Sequence, residues 1–168
     1  VFVSHAWLYR FADLVDALAS FVAAHPDEVF FFWLDCLVID EHATQVLPQE
    51  WWSTSFKESI RAIGRTVMVL CPWNDPVPLK RAWCLWEILS TVRVKSKFTI
   101  QMAPAQQAKF EESMDKDFDT VLAAVSNVDL QQAEAWSQRD KDMIHGAVRL
   151  WGDADSKDGF HELNICLL

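Results

Sequence analysis

The sequence has only four cysteines in 168 residues, and they form neither a Cys-x-x-Cys pair nor the cysteine and histidine spacing of common zinc sites. We therefore predict no bound metal and no resident cofactor. Cys36, Cys71, Cys84 and Cys166 are expected to be thiols packed in the interior of a protein from a reducing compartment.

Long apolar runs, a signal peptide and an excess of basic residues are also lacking. No run approaches the ~20 apolar residues that a membrane-spanning helix needs. Lys and Arg number 15 against 24 Asp and Glu, for a net charge of −9. Because nucleic acids and anionic membranes select basic surfaces, neither is expected as a partner. We predict a cytoplasmic location and, since the chain opens in an apparent strand without an initiator methionine, membership of a larger multidomain protein.

Strands and helices alternate over residues 1–103. Runs of β-branched and aromatic residues predict strands at 1–5, 28–36, 65–71 and 97–104, and apolar residues at helical spacing predict helices at 8–25, 51–64 and 79–89. The run at 28–36 is continuously apolar, which favours a central strand covered on both faces. Alternation of this kind predicts a parallel sheet between helical layers, with ligands bound beyond the carboxyl ends of the strands.

The remaining residues, 104–168, lack this alternation and are predicted to be mainly helical. Asn127 or Asp129 is expected to cap the last of two or three helices, and Gly152 to end it. The tail at 159–168 is either another short helix or a strand. Since 51% of the residues are apolar, residues 1–168 are enough for one domain with its own core. The predicted fold class is α/β, with a parallel sheet of four or five strands and a helical C-terminal extension.

The segment "LKRAWCLWEIL", residues 79–89, places a carboxylate among apolar side chains. At about 100° per residue, one stripe of the helix is apolar, and Glu87 is expected on the flank away from it. Trp83 lies four residues before Glu87 and therefore on the same side of the helix. This pairing of an aromatic plate with a carboxylate is a candidate site.

Four segments taken in order resemble a Toll/interleukin-1 receptor (TIR) domain of the plant or bacterial type: "VFVSHAW", "FFWLDC", "SFKESIRAIGRTVMVLCPWN" and "RAWCLWEI". The last is the most specific, since members of this family carry Trp-Cys-Leu-x-Glu-Leu after a strand that ends in Ser-Pro. Here the strand ends in Cys71-Pro72, and the helix reads Trp83-Cys84-Leu85-Trp86-Glu87-Ile88. The resemblance covers residues 1–103. Ala6-Trp7 replaces a basic residue usual in the family, and the loop at 37–50 lacks the family glycine.

The resemblance implies a flavodoxin-like three-layer fold and one of two activities. Many TIR domains only assemble with one another in signalling, including innate immunity, whereas a subset cleaves NAD⁺ between nicotinamide and ribose. That subset carries a glutamate at the position of Glu87, and an aromatic residue at the position of Trp83 often contacts the ligand. In such enzymes a second copy often completes the pocket through the loop after the second strand.

The chemistry of NAD⁺ cleavage is compatible with a single carboxylate. Nicotinamide leaves as a neutral molecule and needs no general acid, unlike the leaving oxygen of ordinary glycosides. One carboxylate can hold ribose hydroxyls and stabilise the positive charge that develops at the anomeric carbon. A neighbouring indole offers a stacking surface for the nicotinamide or the nucleobase. We therefore predict an NAD⁺ nucleosidase with Glu87 as the essential carboxylate and Trp83 as the stacking residue.

Further candidate contacts lie at the same edge of the predicted sheet. Lys80 and Arg81 are expected in the first turn of the helix, where they either hold a pyrophosphate or remain solvated beside acidic residues. Ser4 and His5 follow the first strand, and His5 is a candidate donor to a ribose or phosphate. Asp35 follows the second strand and either contacts ligand or caps a loop. Among the nine tryptophans, Trp33 and Trp86 are predicted in the core, and Trp7, Trp73 and Trp83 at a pocket rim.

Two other functions remain open at this point. A catalytically silent TIR module would recruit copies of itself, and a nucleotide-binding domain would sense NAD⁺ without turnover. A response-regulator receiver shares the fold, but it needs an acidic pair after the first strand, where this chain has Ser4 and His5.

Overall fold

The computed structural model describes residues 1–38, 49–151 and 159–167, and within them three strands and eight helices. The strands are β1 (Phe2–Ser4), β2 (Arg65–Val69) and β3 (Lys97–Gln101). The helices are α1 (Phe11–Ala23), α2 (Asp35–Val38), α3 (Gln49–Ile63), α4 (Ala82–Arg93), α5 (Pro104–Lys116), α6 (Phe118–Ser126), α7 (Gln138–Arg149) and α8 (Gly159–Leu167). Turns of 3₁₀ helix occupy Val77–Lys80 and Leu130–Gln132. No helix in these ranges has the length and apolar character needed to cross a membrane.

The three strands form a parallel sheet in the order β1-β2-β3. Successive side chains of a strand point to opposite faces, so each strand contributes to two cores. Val3 and Val67 pack with α1 on one face, while Phe2 and Met68 pack with α3 and α4 on the other. The predicted α/β class with a parallel sheet is therefore confirmed.

The predicted second strand, residues 28–36, differs most from expectation. Of these residues only Trp33 forms a β-bridge with the sheet, through hydrogen bonds from the Val3 N–H to its carbonyl (3.0 Å) and from its own N–H to the Val1 carbonyl (2.8 Å). The Phe31 carbonyl also accepts from the Val1 ammonium (2.6 Å). Val29 and Phe31 are 87% and 84% exposed, so a strand covered on both faces is wrong. The segment lies beside β1 at the sheet edge, and because β1 has only three residues, it offers few backbone partners.

The C-terminal part is helical as predicted, but its caps are not the predicted ones. The Ser137 hydroxyl caps α7 by accepting from the Asp140 N–H (3.4 Å). Asp129 instead caps the 3₁₀ turn, and Asn127 ends α6. Both cap predictions for the last helix are therefore wrong. Of the two alternatives for the tail, the structure has the short helix, α8. Gly152 lies outside the described residues.

Gly64 ends α3 as its sequence position indicates. It adopts a left-handed conformation with φ of 73°, and its N–H donates to the Ile60 carbonyl (2.9 Å). A residue without Cβ adopts this conformation with little strain. The chain then turns directly into β2.

Tyr9, the only tyrosine, fixes the carboxyl end of β2. Its hydroxyl donates to the Val69 carbonyl (3.0 Å) and accepts from the Cys71 N–H (3.0 Å), and burial raises its pKa. We expect Tyr9→Phe to lower the free energy of unfolding by about 1–3 kcal/mol, because two buried backbone groups lose their partner. Urea unfolding followed by tryptophan fluorescence measures this. An unchanged free energy would show that neither hydrogen bond stabilises the fold.

Candidate functional site

The candidate site lies where β1 ends against α4. Ser4 is the last residue of β1, and His5 follows it; both are buried. The extended segment beside β1 ends at Asp35, so this side chain arrives at the same edge. The structure thus brings together four predicted site residues, Ser4, His5, Asp35 and Glu87, from β1, α2 and α4.

Glu87 does not lie on an exposed flank of its helix. It is only 6% exposed, because α4 packs against β1, β3, α3 and α7, and every residue from Cys84 to Thr91 is buried. Burial raises the pKa of Glu87 to about 8; the charge of Asp35 adds to the rise, while the Ser4 hydroxyl and Arg81 oppose it. Neither Glu87 Oε2 nor Ser4 Oγ completes a hydrogen bond of good geometry within the described residues. The carboxyl is therefore largely protonated near neutral pH.

The backbone of α4 at Glu87 is held firmly. The Thr91 hydroxyl donates to the Glu87 carbonyl (2.7 Å) and lies 2.9 Å from the Thr66 hydroxyl of β2. The first contact lies within α4, and the second joins α4 to β2, the central strand of the sheet. The carboxyl group of Glu87 is thus presented from a rigid element.

His5, Asp35 and Trp7 form a second group at this edge. The Trp7 Nε1–H donates to Asp35 Oδ2 (2.9 Å), and the Cys36 N–H donates to Asp35 Oδ1 (2.7 Å). His5 Nε2 lies 3.7 Å from Asp35 Oδ1. Burial lowers the pKa of His5, with a smaller contribution from Arg81 in the same direction, whereas Asp35 and a hydrogen bond to the Val3 carbonyl oppose the change.

The two predicted basic residues, Lys80 and Arg81, lie in different surroundings. Lys80 is exposed and forms an ion pair with Asp75. Arg81 reaches the site: its Nη1–H donates to the His5 carbonyl (3.4 Å), and its guanidinium lies 5.7 Å from the Trp7 ring centroid. Of the two basic residues, therefore, Arg81 is the one positioned beside Glu87 and Asp35.

The expectation that both basic residues lie in the first helical turn is wrong. Lys80 ends a 3₁₀ turn, and Arg81 is the extended residue that precedes α4. Here the chain pairs with a distant segment, since the Glu134 N–H donates to the Lys80 carbonyl (2.8 Å) and the Ala82 N–H to the Glu134 carbonyl (2.8 Å). The first N–H of α4 is consequently occupied by protein and is not available to a pyrophosphate.

The tryptophans divide partly as predicted. Trp86 is buried in the core, as predicted. Trp33 is partly buried and stacks on the core residue Phe2, with ring centroids 4.7 Å apart. Trp7 is half-exposed and contacts the site. Trp83 is partly buried and packs on Phe56 of α3 (5.8 Å), and Trp73 packs edge-on against Phe110 of α5 (5.6 Å).

Cysteines near the site were not predicted as functional residues. The described cysteines are thiols, as expected, but Cys36 is exposed, so interior packing is wrong for this residue. His5, Asp35 and Cys36 each offer one potential metal-ligating atom, and these atoms lie within 4.8 Å of one another. The buried Cys84 thiol donates to the His5 carbonyl (3.4 Å), and burial raises its pKa. The only sequence signal was the position of Asp35-Cys36 after a strand-like run. Cys166 lies in α8, and its side chain is not among those that the structure describes.

No protein-family model matches this chain, and neither a curated protein nor a solved structure matches it. The TIR resemblance therefore rests on the sequence motifs alone.

Proposed function

We propose that this chain is a TIR-like NAD⁺ hydrolase that cleaves the bond between nicotinamide and ribose. The observation that supports this most is the buried Glu87 carboxyl, whose Oε2 lacks a completed hydrogen bond, next to Arg81 and Ser4 at the end of β1. Burying a carboxyl in this way costs stability, and such groups cluster at functional sites. We also propose a flavodoxin-like arrangement, in which the segment beside β1 counts as a fourth strand. The proposed location is cytoplasmic.

In the proposed reaction, Glu87 acts as a carboxylate. The C–N bond breaks, its electron pair moves to the pyridinium nitrogen, and neutral nicotinamide leaves. Glu87 holds ribose hydroxyls and stabilises the positive charge that develops at the anomeric carbon. Water then attacks, loses a proton and gives ADP-ribose; attack by the adenine instead gives a cyclic isomer.

The other residues have supporting roles in this proposal. Arg81 is the cation for the pyrophosphate, with guanidinium geometry suited to phosphate oxygens. Ser4 and His5 contact the ribose, and Asp35 orients Trp7 through the 2.9 Å hydrogen bond. Since Glu87 is only 6% exposed, substrate must displace a neighbour, and in this proposal the half-exposed Trp7 ring moves aside and gives up its contacts with Asp35 and Arg81.

Incubation of the purified chain with NAD⁺ tests this function, with free nicotinamide measured by chromatography. Release that increases with enzyme and time supports the hydrolase. Binding of NAD⁺ in calorimetry without nicotinamide release would instead support a sensor, and absence of both would support a non-catalytic module.

Trp83 is proposed to stack on the ligand, but its contact with Phe56 gives it a packing role as well. We expect Trp83→Ala to raise KM and lower turnover, and Trp83→Phe to recover part of both by restoring an aromatic face. Steady-state kinetics measures the effect on ligand stacking, and thermal unfolding measures the effect on packing. Phe56→Leu is the control, because it disturbs the packing without removing the proposed stacking surface. An equal rise of KM in the control would assign Trp83 to packing alone.

Assembly is the remaining part of the proposal. Three apolar side chains beside the site are exposed, Trp7 by 50%, Leu37 by 68% and Val38 by 53%, and we propose that a second copy covers them. The same surface favours the second candidate function, a non-catalytic module that associates with other TIR domains. Most of the loop predicted to mediate association, residues 39–48, lies outside the described residues.

Activity per molecule is expected to rise with protein concentration, since mass action populates the assembled state. Nicotinamide release measured over a dilution series of the protein gives this rise, and sedimentation at the same concentrations gives the association state. Leu37→Asp should weaken it, whereas Leu150→Asp, a similarly exposed leucine after α7, should not. Constant activity per molecule across the series would show that the monomer is already complete.

A further inference from the structure

The imidazole of His5 and the carboxylate of Asp35 face each other at an unusual separation. His5 Nε2 and Asp35 Oδ1 are 3.7 Å apart, which is too long for a hydrogen bond. Two nitrogen or oxygen ligands of one tetrahedral zinc ion, each about 2.0–2.2 Å from the metal, stand about 3.3–3.6 Å apart. The pair is therefore close to the spacing of two ligands that share an ion.

A third ligand of the right chemistry lies beside this pair. The ligating atoms of His5, Asp35 and Cys36 are all within 4.8 Å of one another. Because Cys36 is exposed, rotation of its side chain can bring the sulfur to the metal–ligand distance without moving the core. Imidazole and thiolate ligands select zinc over magnesium or calcium.

The surroundings support the ligands as in known metal sites. Asp35 Oδ2 is held by the Trp7 Nε1–H and Oδ1 by the Cys36 N–H, and Oδ1 is also the oxygen that lies 3.7 Å from His5 Nε2. The His5 ring is held by a hydrogen bond to the Val3 carbonyl. Outer hydrogen bonds of this kind orient ligands and contribute to metal affinity.

Glu87 provides an independent observation. It is 94% buried, its Oε2 has no completed hydrogen bond within the described residues, and it lies close enough to Asp35 to feel its charge. The two carboxyl groups repel each other when both are ionised. A divalent cation between His5 and Asp35 would relieve this repulsion.

We propose that His5, Asp35 and Cys36 bind a zinc ion, with the fourth position left to water. The Cys36 thiol releases its proton to solvent on binding, and no oxidation or reduction is involved. This site goes beyond the proposed hydrolase function and does not depend on it. If the chain cleaves NAD⁺, zinc inhibits it, because the ion occupies His5 and Asp35 and places a positive charge near the anomeric carbon.

The test uses the purified chain and zinc alone, in competition with a chromogenic chelator. We expect one ion per chain, and a loss of affinity of about 100-fold or more in Cys36→Ser, since even outer partners contribute about 10–100-fold. Cys71→Ser is the matched control, because the Cys71 thiol lies after β2 and outside the cluster. The zinc affinity of this variant should equal that of the wild type. Cys36 is exposed, so its replacement should not impair folding, which circular dichroism verifies.

Cobalt substitution gives a second readout. Co²⁺ bound to the wild-type chain should show the charge-transfer absorption of a cobalt–thiolate bond, which Cys36→Ala abolishes and Cys71→Ala leaves unchanged. Zinc affinity that is equal in Cys36→Ser and the wild type would overturn the proposal, as would a missing thiolate band. Neither result depends on NAD⁺ cleavage, which is assayed separately with chelator present, so the two proposals fail independently.

Discussion

Replacement of Glu87 by glutamine should lower the rate of nicotinamide release by about 100-fold or more, the loss typical of one preorganised electrostatic group. The substitution preserves size and removes only the negative charge that the proposed reaction requires. Glu111→Gln, the same change at an exposed position of α5, should retain wild-type activity. Release by Glu87→Gln at nearly the wild-type rate would remove Glu87 from the proposed mechanism.

The same variant should be more stable than the wild type at alkaline pH. The folded pKa of Glu87 is about 8, against an ordinary value of 4.5, so folding favours the protonated form. The contribution of Glu87 to the free energy of unfolding is fully present below about pH 4.5 and is lost as the pH rises through about 8. The full difference between these two pKa values corresponds to about 5 kcal/mol of folding stability. Glutamine does not titrate and avoids this loss.

Urea unfolding of both proteins across this pH range measures the effect. The stability difference should grow in favour of Glu87→Gln between pH 5 and pH 9. Comparison of variant with wild type isolates Glu87 from other groups that titrate at alkaline pH. A variant that is less stable by the same amount at every pH would mean that the carboxyl makes a structural hydrogen bond instead.

The rate of NAD⁺ cleavage should rise steeply with pH. If the ionised carboxyl is the active form and its pKa is about 8, kcat/KM increases about tenfold per pH unit below this value and levels off above it. The expected change from pH 6 to pH 8 is therefore roughly 50-fold. Initial rates at low NAD⁺, with chelator present, measure this profile.

Arg81 offers a way to assign the profile to Glu87. Among the groups that face the carboxyl, Asp35 of α2 raises its pKa, whereas Ser4 of β1 and Arg81 before α4 lower it. Arg81→Gln should therefore shift the midpoint to higher pH, in addition to weakening substrate binding. The residual rate of Glu87→Gln should lack this transition. A wild-type rate already constant from pH 5 upward would show that the essential group ionises as an exposed carboxyl does.

Much of the fold could be predicted from local patterns. The helical spacing of apolar residues predicted α1, α3 and α4, and the alternation of strand runs with helices predicted a parallel sheet. The position of Gly64 also predicted the end of α3, because a left-handed residue without Cβ stops a helix. These features depend on residues close in sequence.

The grouping of Ser4, His5, Asp35 and Glu87 was also predictable, because connected parallel strands bring their carboxyl ends to one edge. The burial and the neighbours of these residues could not be predicted. A continuous apolar run does not distinguish a central strand from one at an edge, so the exposure of Val29 and Phe31 was missed.

The sequence alone determined the periodicity of the helices and which end of the sheet carries the polar side chains, because both follow from backbone geometry and chain order. Only the tertiary structure decided that Glu87 is buried, that Arg81 and not Lys80 reaches it, and that Cys36 lies beside His5. Each of these outcomes depends on contacts between distant segments. The pairing of Lys80 and Ala82 with Glu134, which sets where α4 begins, is the clearest example, since neither segment signals the other in the sequence.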